Sequence, residues 1–127
     1  METSTKEQLS ALERALGVLR VPAAPGEYDL HRMIGKALQA SDIEYRHEVN
    51  LGPRCRIDFL AGTVGIEVKK GAVSPRQLKA QAARYLRAPV LSALLLVVAG
   101  GAALPSEIQG KPVVVFGLNR LWGVSLP

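Results

Sequence analysis

Apolar and polar positions alternate with a period of two on both sides of Gly62-Thr63, within the stretch RIDFLAGTVGIEVKK at residues 56–70. Before the dipeptide, Cys55, Ile57, Phe59 and Ala61 alternate with Arg56, Asp58 and Leu60. After it, Val64, Ile66 and Val68 alternate with Gly65, Glu67 and Lys69. Alternation on either side of a Gly-X pair predicts a β-hairpin, and glycine at the first loop position suits a type II′ turn. With Gly62-Thr63 as the loop, Asp58 falls opposite Glu67, and a directly opposed pair shares one face of the sheet. Lys69 lies two residues further on and joins them. The expected hairpin has one apolar face, built from Cys55, Ile57, Phe59, Val64, Ile66 and Val68. Its other face carries two carboxylates and an amine.

The rest of the chain supplies helices and strands around this hairpin. Ser4 and Glu7 have the spacing of a capping box, and Leu9, Leu12, Leu16 and Leu19 recur at helical intervals, which predicts a helix over residues 5–19. This helix carries no obvious chemistry, and either covers the core or serves as a partner surface. A Pro- and Gly-containing linker follows. A second helix is predicted over residues 27–39, with Leu30, Ile34, Ala37 and Leu38 as its apolar stripe and Met33 beside it. Residues 43–51 alternate as a first strand, and Gly52-Pro53 turns the chain into the hairpin. His47 falls in the mainly apolar set of that strand and reads as a paired core or edge histidine. Ser74 as N-cap and Pro75 at the first helical position open a third helix, which runs to about Arg87 before Pro89 blocks it. Residues 91–99 are apolar on both faces except Ser92, as in a strand buried between helices. Residues 113–116 and 121–126 are candidate closing strands. The helical crossover between hairpin and buried strand predicts parallel pairing of the two. The sum is a single α/β domain over residues 1–127, with an N-terminal helix within 1–21, a core over 27–99 and a β unit over 112–127.

Composition narrows the function. Hydrophobic residues make up 48% of the 127-residue chain, enough to build a core. The formal net charge of +5 favours an anionic partner, nucleic acid first. Few aromatics argue against a surface of base-stacking platforms. The single cysteine, Cys55, excludes an internal disulfide and a cysteine-only metal site. It is compatible with a reducing cytoplasm. The opening METSTKEQLS holds no apolar signal core. The mainly apolar residues 90–104 contain Gly100-Gly101 and are too few for a membrane span of about 20 residues, so no membrane partner is expected. Positive charge is concentrated after the hairpin: no acid occurs between Glu67 and Glu107, whereas Lys69, Lys70, Arg76, Lys79, Arg84 and Arg87 all fall there. A third helix of one charge sign is a track for a phosphate backbone; an ordinary solvated face would mix signs.

Paired carboxylates repel unless a cation neutralises them or one is protonated. Hard oxygen ligands in a small cluster suit Mg²⁺ or Mn²⁺, and an ammonium beside such a metal can hold a water or stabilise charge building on a phosphate. An arbitrary hairpin could carry Asp, Glu and Lys on a solvent face without any such role. In the second helix, Glu27 sits in the first turn, where the helix dipole favours a carboxylate. His31 lies four residues on and reads as a surface histidine unless something recruits it.

The order Ile57-Asp58, eight intervening residues, then Glu67-Val68-Lys69 resembles the PD-(D/E)XK nuclease superfamily, with Ile57 in place of the family's proline. Gln81-Ala82-Ala83-Arg84-Tyr85 is similar to the Q-x-x-x-Y motif of RecB-type members, and Gln77 resembles a glutamine that follows the E-x-K strand in VRR-NUC nucleases. The resemblance spans about residues 27–99. It implies a restriction-endonuclease-like core and metal-dependent hydrolysis of a phosphodiester, with DNA as the substrate. Asp58, Glu67 and Lys69 would be the catalytic residues. Asp58, Glu67 and the Val68 carbonyl would bind one or two Mg²⁺ or Mn²⁺ ions, joined by Glu27 or His31 from the preceding helix. Lys70, Gln77, Gln81, Arg84 and Tyr85 would hold the nucleic acid. Two alternatives share the fold: an inactive module that binds nucleic acid or protein, and a Holliday-junction-resolvase-like homodimer.

Overall fold

The computed structural model describes residues 4–19, 27–71, 73–99 and 102–118, with backbone alone at 27 and 28. Helix α1 spans Thr5–Leu16 and carries the expected capping box. The Ser4 hydroxyl accepts from the Glu7 amide at 3.1 Å, and the Ser4 amide donates to Glu7 Oε1 at 3.2 Å. The helix ends three residues short of the expected end, with Gly17 as its C-cap and the Gly17 amide on the Glu13 carbonyl. Leu19 is nevertheless buried.

Helix α2 spans Glu27–Ala40 and buries Leu30, Ile34, Ala37 and Leu38, the expected stripe. Its end explains why strand β1 begins at Arg46 and not at residue 43. Asp42 adopts φ 57°. The Ile43 amide then reaches back to the Leu38 carbonyl at 2.9 Å, and the Asp42 amide to the Gln39 carbonyl at 3.0 Å. This is a Schellman closure with aspartate in the position glycine usually takes, and it uses Ile43 before a ladder can.

Strands β1 (Arg46–Gly52), β2 (Cys55–Ala61) and β3 (Val64–Lys69) form an antiparallel meander. Gly62 has φ 62° and Thr63 is not among the residues of positive φ, which is the type II′ pattern. The pairs Phe59↔Ile66, Leu60↔Gly65 and Ala61↔Val64 give the expected register. Helix α3 spans Pro75–Leu86, with the Ser74 hydroxyl accepting from the Gln77 amide at 3.1 Å. It leads to β4 (Ala93–Val98), buried at all six positions and parallel to β3. A two-residue strand β5 (Glu107–Ile108), not foreseen from the sequence, pairs with β6 (Lys111–Gly117) through a Gln109-Gly110 turn in which both φ values are positive. The expected strand over 121–126 lies outside the described residues.

The sheet is six-stranded and mixed, in the order β1-β2-β3-β4-β6-β5. Helices α1 and α2 cover one face, where Leu12, Leu16, Ile34 and Leu38 meet Phe59, Ile66, Leu95 and Val97. Helix α3 covers the other, where Leu78, Ala82 and Leu86 meet Leu60, Leu94 and Leu96. Among the described residues no helix is long and apolar enough to cross a membrane. At the turn end of β3 a polar clasp joins three elements: Gln8 Oε1 accepts from the Thr63 amide at 3.0 Å, and Ser92 Oγ contacts the hydroxyls of Thr5 (2.9 Å) and Thr63 (2.6 Å).

One expectation fails in an informative way. Ile57 and Phe59 do not share a face: Phe59 packs under α1 and α2, whereas Ile57 packs on the α3 side, over Gly65. A Cβ at Gly65 would collide with the Ile57 Cδ1 methyl and stand 3.1 Å from both methyls of Leu91. Ile57 and Leu91 are both fully buried and have nowhere to retreat. Gly65→Ala is therefore expected to destabilise the protein by about 1–3 kcal/mol, the range for overpacking a filled core, read as a lower urea midpoint at unchanged slope.

Candidate functional site

The swap of faces has its cause at Asp58. The β2–β3 ladder stops at Phe59↔Ile66, and side chains replace the next rung. Asp58 Oδ2 accepts from the Val68 amide at 2.8 Å, and Glu67 Oε1 accepts from the Asp58 amide at 3.2 Å. A short acidic side chain competes well for a neighbouring backbone N–H, and here it does so across the hairpin. The adjoining β1–β2 ladder pairs His47↔Phe59 and Val49↔Ile57, and between them Glu48 has φ 54°. The sheet therefore turns over locally at Glu48 and Asp58, and Asp58 lies where groups from both faces reach it.

From the α3 side comes Glu67. It is not on an open face: α3 covers it, and only 6% of the residue is exposed. Its carboxyl is pushed up to about 7, chiefly by burial and next by the charge of Asp58. A hydrogen bond from Tyr85, the Lys69 ammonium and the Asp58 amide oppose that rise. Lys69 Nζ stands 3.3 Å from Glu67 Oε2. Burial and the neighbouring carboxylates push the Tyr85 hydroxyl well above its ordinary range, so it remains a neutral donor to Glu67.

From the α2 side comes His31. Its Nε2 lies 3.6 Å from Asp58 Oδ2 and is buried without a hydrogen-bond partner, while its Nδ1 is 2.9 Å from His47 Nε2. Both rings lie against Phe59. An open cavity of about 680 Å³ borders Asp58 and His31, and Glu48, Arg54 and Arg56 contribute to its walls.

Of the residues singled out in the sequence, Asp58, Glu67, Lys69 and His31 thus come together. Tyr85 joins them, but by turning inward to Glu67. The expected single face of Gln77, Gln81, Arg84 and Tyr85 divides: Gln77 and Arg84 are exposed, Gln81 is half-buried with Oε1 unpartnered, and Tyr85 is buried. Lys70 is exposed just beyond β3. The Val68 side chain packs in the core under α1 and α2, and its amide serves Asp58. Glu27 opens α2, and its side chain lies outside the described residues. Sequence reasoning missed the link from His47 to His31, the Tyr85–Glu67 bond and the place of two arginines at the cavity, Arg54 in the β1–β2 turn and Arg56 at the start of β2. Arg54 and Arg56 were legible only as basic residues near a turn. Near Cys55, Arg84 and Arg87 pull the thiol pKa down, but burial outweighs them and raises it.

Fold and site together define an α/β protein in which a buried glutamate, a half-buried aspartate and a lysine meet on a mixed sheet. Comparison with protein-family models, curated proteins and solved structures finds no match.

Proposed function

We infer that this chain is a metal-dependent nuclease with a restriction-endonuclease-like core, hydrolysing phosphodiester bonds of DNA in the cytoplasm. The observation that supports the reading is a pair of side-chain-to-backbone bonds across the hairpin, from the Asp58 amide to the Glu67 carboxylate and from the Val68 amide to the Asp58 carboxylate, which holds two carboxylates together beside Lys69. A fold that merely needed a hairpin would place a backbone rung there.

The residues suit a hard divalent cation. Burial, and next the charge of Asp58, raises the pKa of Glu67 despite Lys69, and a cation at the pair would offset that second contribution. The buried Nε2 of His31 has no hydrogen bond. Among the described residues no three His, Cys, Asp or Glu side chains converge as a ligand group. Mg²⁺ commonly takes only one or two carboxylates and keeps its waters or substrate oxygens. Asp58 and Glu67 would hold it, with His31 at the margin; bound there, it would supply Lewis acidity to a phosphoryl oxygen.

The chain's own groups account for the rest. The Lys69 ammonium offsets charge building on the phosphate and can orient a water. Tyr85 and the Asp58 amide fix the Glu67 carboxylate. Arg76, Lys79 and Arg84, exposed on α3, offer a path for the phosphate backbone without specifying bases.

The test is incubation with linear, single-stranded, flapped and junction DNA in Mg²⁺ or Mn²⁺. Cleavage is expected, with a loss of at least about a hundredfold in Asp58→Asn, on the scale of removing one electrostatic group from an active site. Tight binding with no cleavage of any DNA or RNA form would instead assign an inactive module. Cleavage confined to four-way junctions by a dimer would assign the resolvase alternative.

A further inference from the structure

Two histidines far apart in the chain meet beside Asp58. His31 comes from α2 and His47 from the edge strand β1, where the sheet register sets it opposite Phe59. The His47 ring stacks on Phe59 at 4.8 Å between centroids, and the His31 ring meets Phe59 at 5.4 Å and His47 nearly edge-on at 5.1 Å. Phe59 is a buried floor for both. Such packing sets the plane of the His31 ring but tolerates a half-turn flip, which leaves the ring's outline almost unchanged. The hydrogen bond between His31 Nδ1 and His47 Nε2 distinguishes the two orientations, together with the longer approach of Nε2 to Asp58 at 3.6 Å.

We propose that His47 is a positioning residue, which holds His31 with Nε2 turned toward the Asp58 carboxylate. The inference rests on the nuclease reading of Asp58 and Glu67. Its logic is that of a ring nitrogen whose role is set by what the other nitrogen does. A bond between two neutral imidazoles contains one proton. When His47 donates it, His31 is protonated at Nε2 and presents an N–H to Asp58. When His31 donates it, Nε2 presents a lone pair instead, suited to a cation held by Asp58. Each ring carries one proton in both arrangements. The exchange moves the shared proton from His47 to His31, releases the Nε2 proton of His31 to water and returns one from water to Nδ1 of His47. The exposed position of His47 permits that return. Without a cation, a lone pair facing a carboxylate is unfavourable, so the first arrangement prevails.

The experiment uses the full chain and two variants, His47→Leu, which fills space but cannot bond, and His47→Gln, whose carboxamide can donate or accept. Three measurements are made: ring-¹⁵N NMR of the metal-free protein, binding of Mn²⁺ alone by calorimetry, and cleavage kinetics. In the parent, the NMR is expected to place the His31 proton on Nε2. His47→Leu is expected to weaken Mn²⁺ binding by about 10–100-fold, and to lower kcat while leaving KM for DNA near that of the parent. His47→Gln should recover Mn²⁺ binding to within about threefold of the parent. The inference is overturned if folded His47→Leu binds Mn²⁺ like the parent, if His47→Gln is as weak as His47→Leu, or if His31 is protonated at Nδ1 in the metal-free parent. A parent that binds Mn²⁺ and cleaves nothing removes the nuclease reading, while the variants' Mn²⁺ affinities still decide the role of His47. A parent that binds no Mn²⁺ overturns both.

Discussion

Lys69→Ala is expected to reduce metal-dependent cleavage by about 10²–10⁴-fold, the range spanned by removal of a positioned acid–base or electrostatic group. DNA affinity should change by less than about threefold. The two effects separate because of where the ammonium sits. Its Nζ is 3.3 Å from Glu67 Oε2, and its side chain is only 19% exposed. On the proposed reading it would face the reacting phosphate, whereas the phosphate path would belong to several residues of α3, none of which would carry much of the affinity alone. Binding is measured with Ca²⁺ in place of Mg²⁺, since the larger ion, held in looser geometry, allows assembly without turnover. Loss of both binding and cleavage in a folded Lys69→Ala protein would mean that the lysine is a docking contact and not part of the chemistry.

The second large effect concerns stability and is read without metal. The Glu67 carboxyl rises from its ordinary 4.5 to about 7 in the folded protein. The fold therefore favours the protonated form, and the sign of the pH dependence follows. The stabilisation is complete below about pH 4.5 and is lost as pH rises toward and through 7. The difference corresponds to at most about 3–4 kcal/mol, since one pH unit is worth about 1.4 kcal/mol. Glu67→Gln keeps an acceptor for Tyr85 and for the Asp58 amide but cannot ionise. It should flatten the decline over that interval, and near pH 8 in a chelator it should melt above the parent. Saturating Mg²⁺ should raise the melting temperature of the parent more than that of the variant, because a ligand stabilises the state that binds it. A parent whose stability climbs between pH 5 and 7, or a variant with the parent's slope, would contradict the burial of a Glu67 that its partners compensate only in part.

The parts of the fold readable in the sequence were those governed by local rules. The register around Gly62-Thr63 follows from period-two alternation and turn chemistry. The start of α3 follows from Ser74 and Pro75, and the burial of β4 from a run with nearly no polar residue. What escaped was set by side chains that replace backbone partners. Alternation puts Ile57 and Phe59 on one face only if the ladder continues, and Asp58 interrupts it by taking the Val68 amide. The start of β1 was misplaced because Asp42, and not a glycine, makes the left-handed closure of α2. Strand β5 is two residues long, and its Gln109-Gly110 turn lacks the Asn or Asp that usually announces such a hairpin. At the site, Asp58, Glu67 and Lys69 were visible as a set because one hairpin carries all three. The approach of His47 to His31 was not, because it depends on how α2 docks against the sheet, which no spacing along the chain encodes.

The acid pair also bears on the order in which the molecule assembles. Its defining bonds join residues only 9 and 10 positions apart, so they can form as soon as the hairpin closes. At that stage the carboxylates are still bathed in water and repel little. The repulsion becomes serious only when α3 settles over Glu67 and brings Tyr85 to it. Docking α3 over a hairpin already closed would thus work against charge, and a cation captured by the open hairpin would ease it. Metal would then act on the protein before any substrate arrives, as an aid to closing the last layer of the fold.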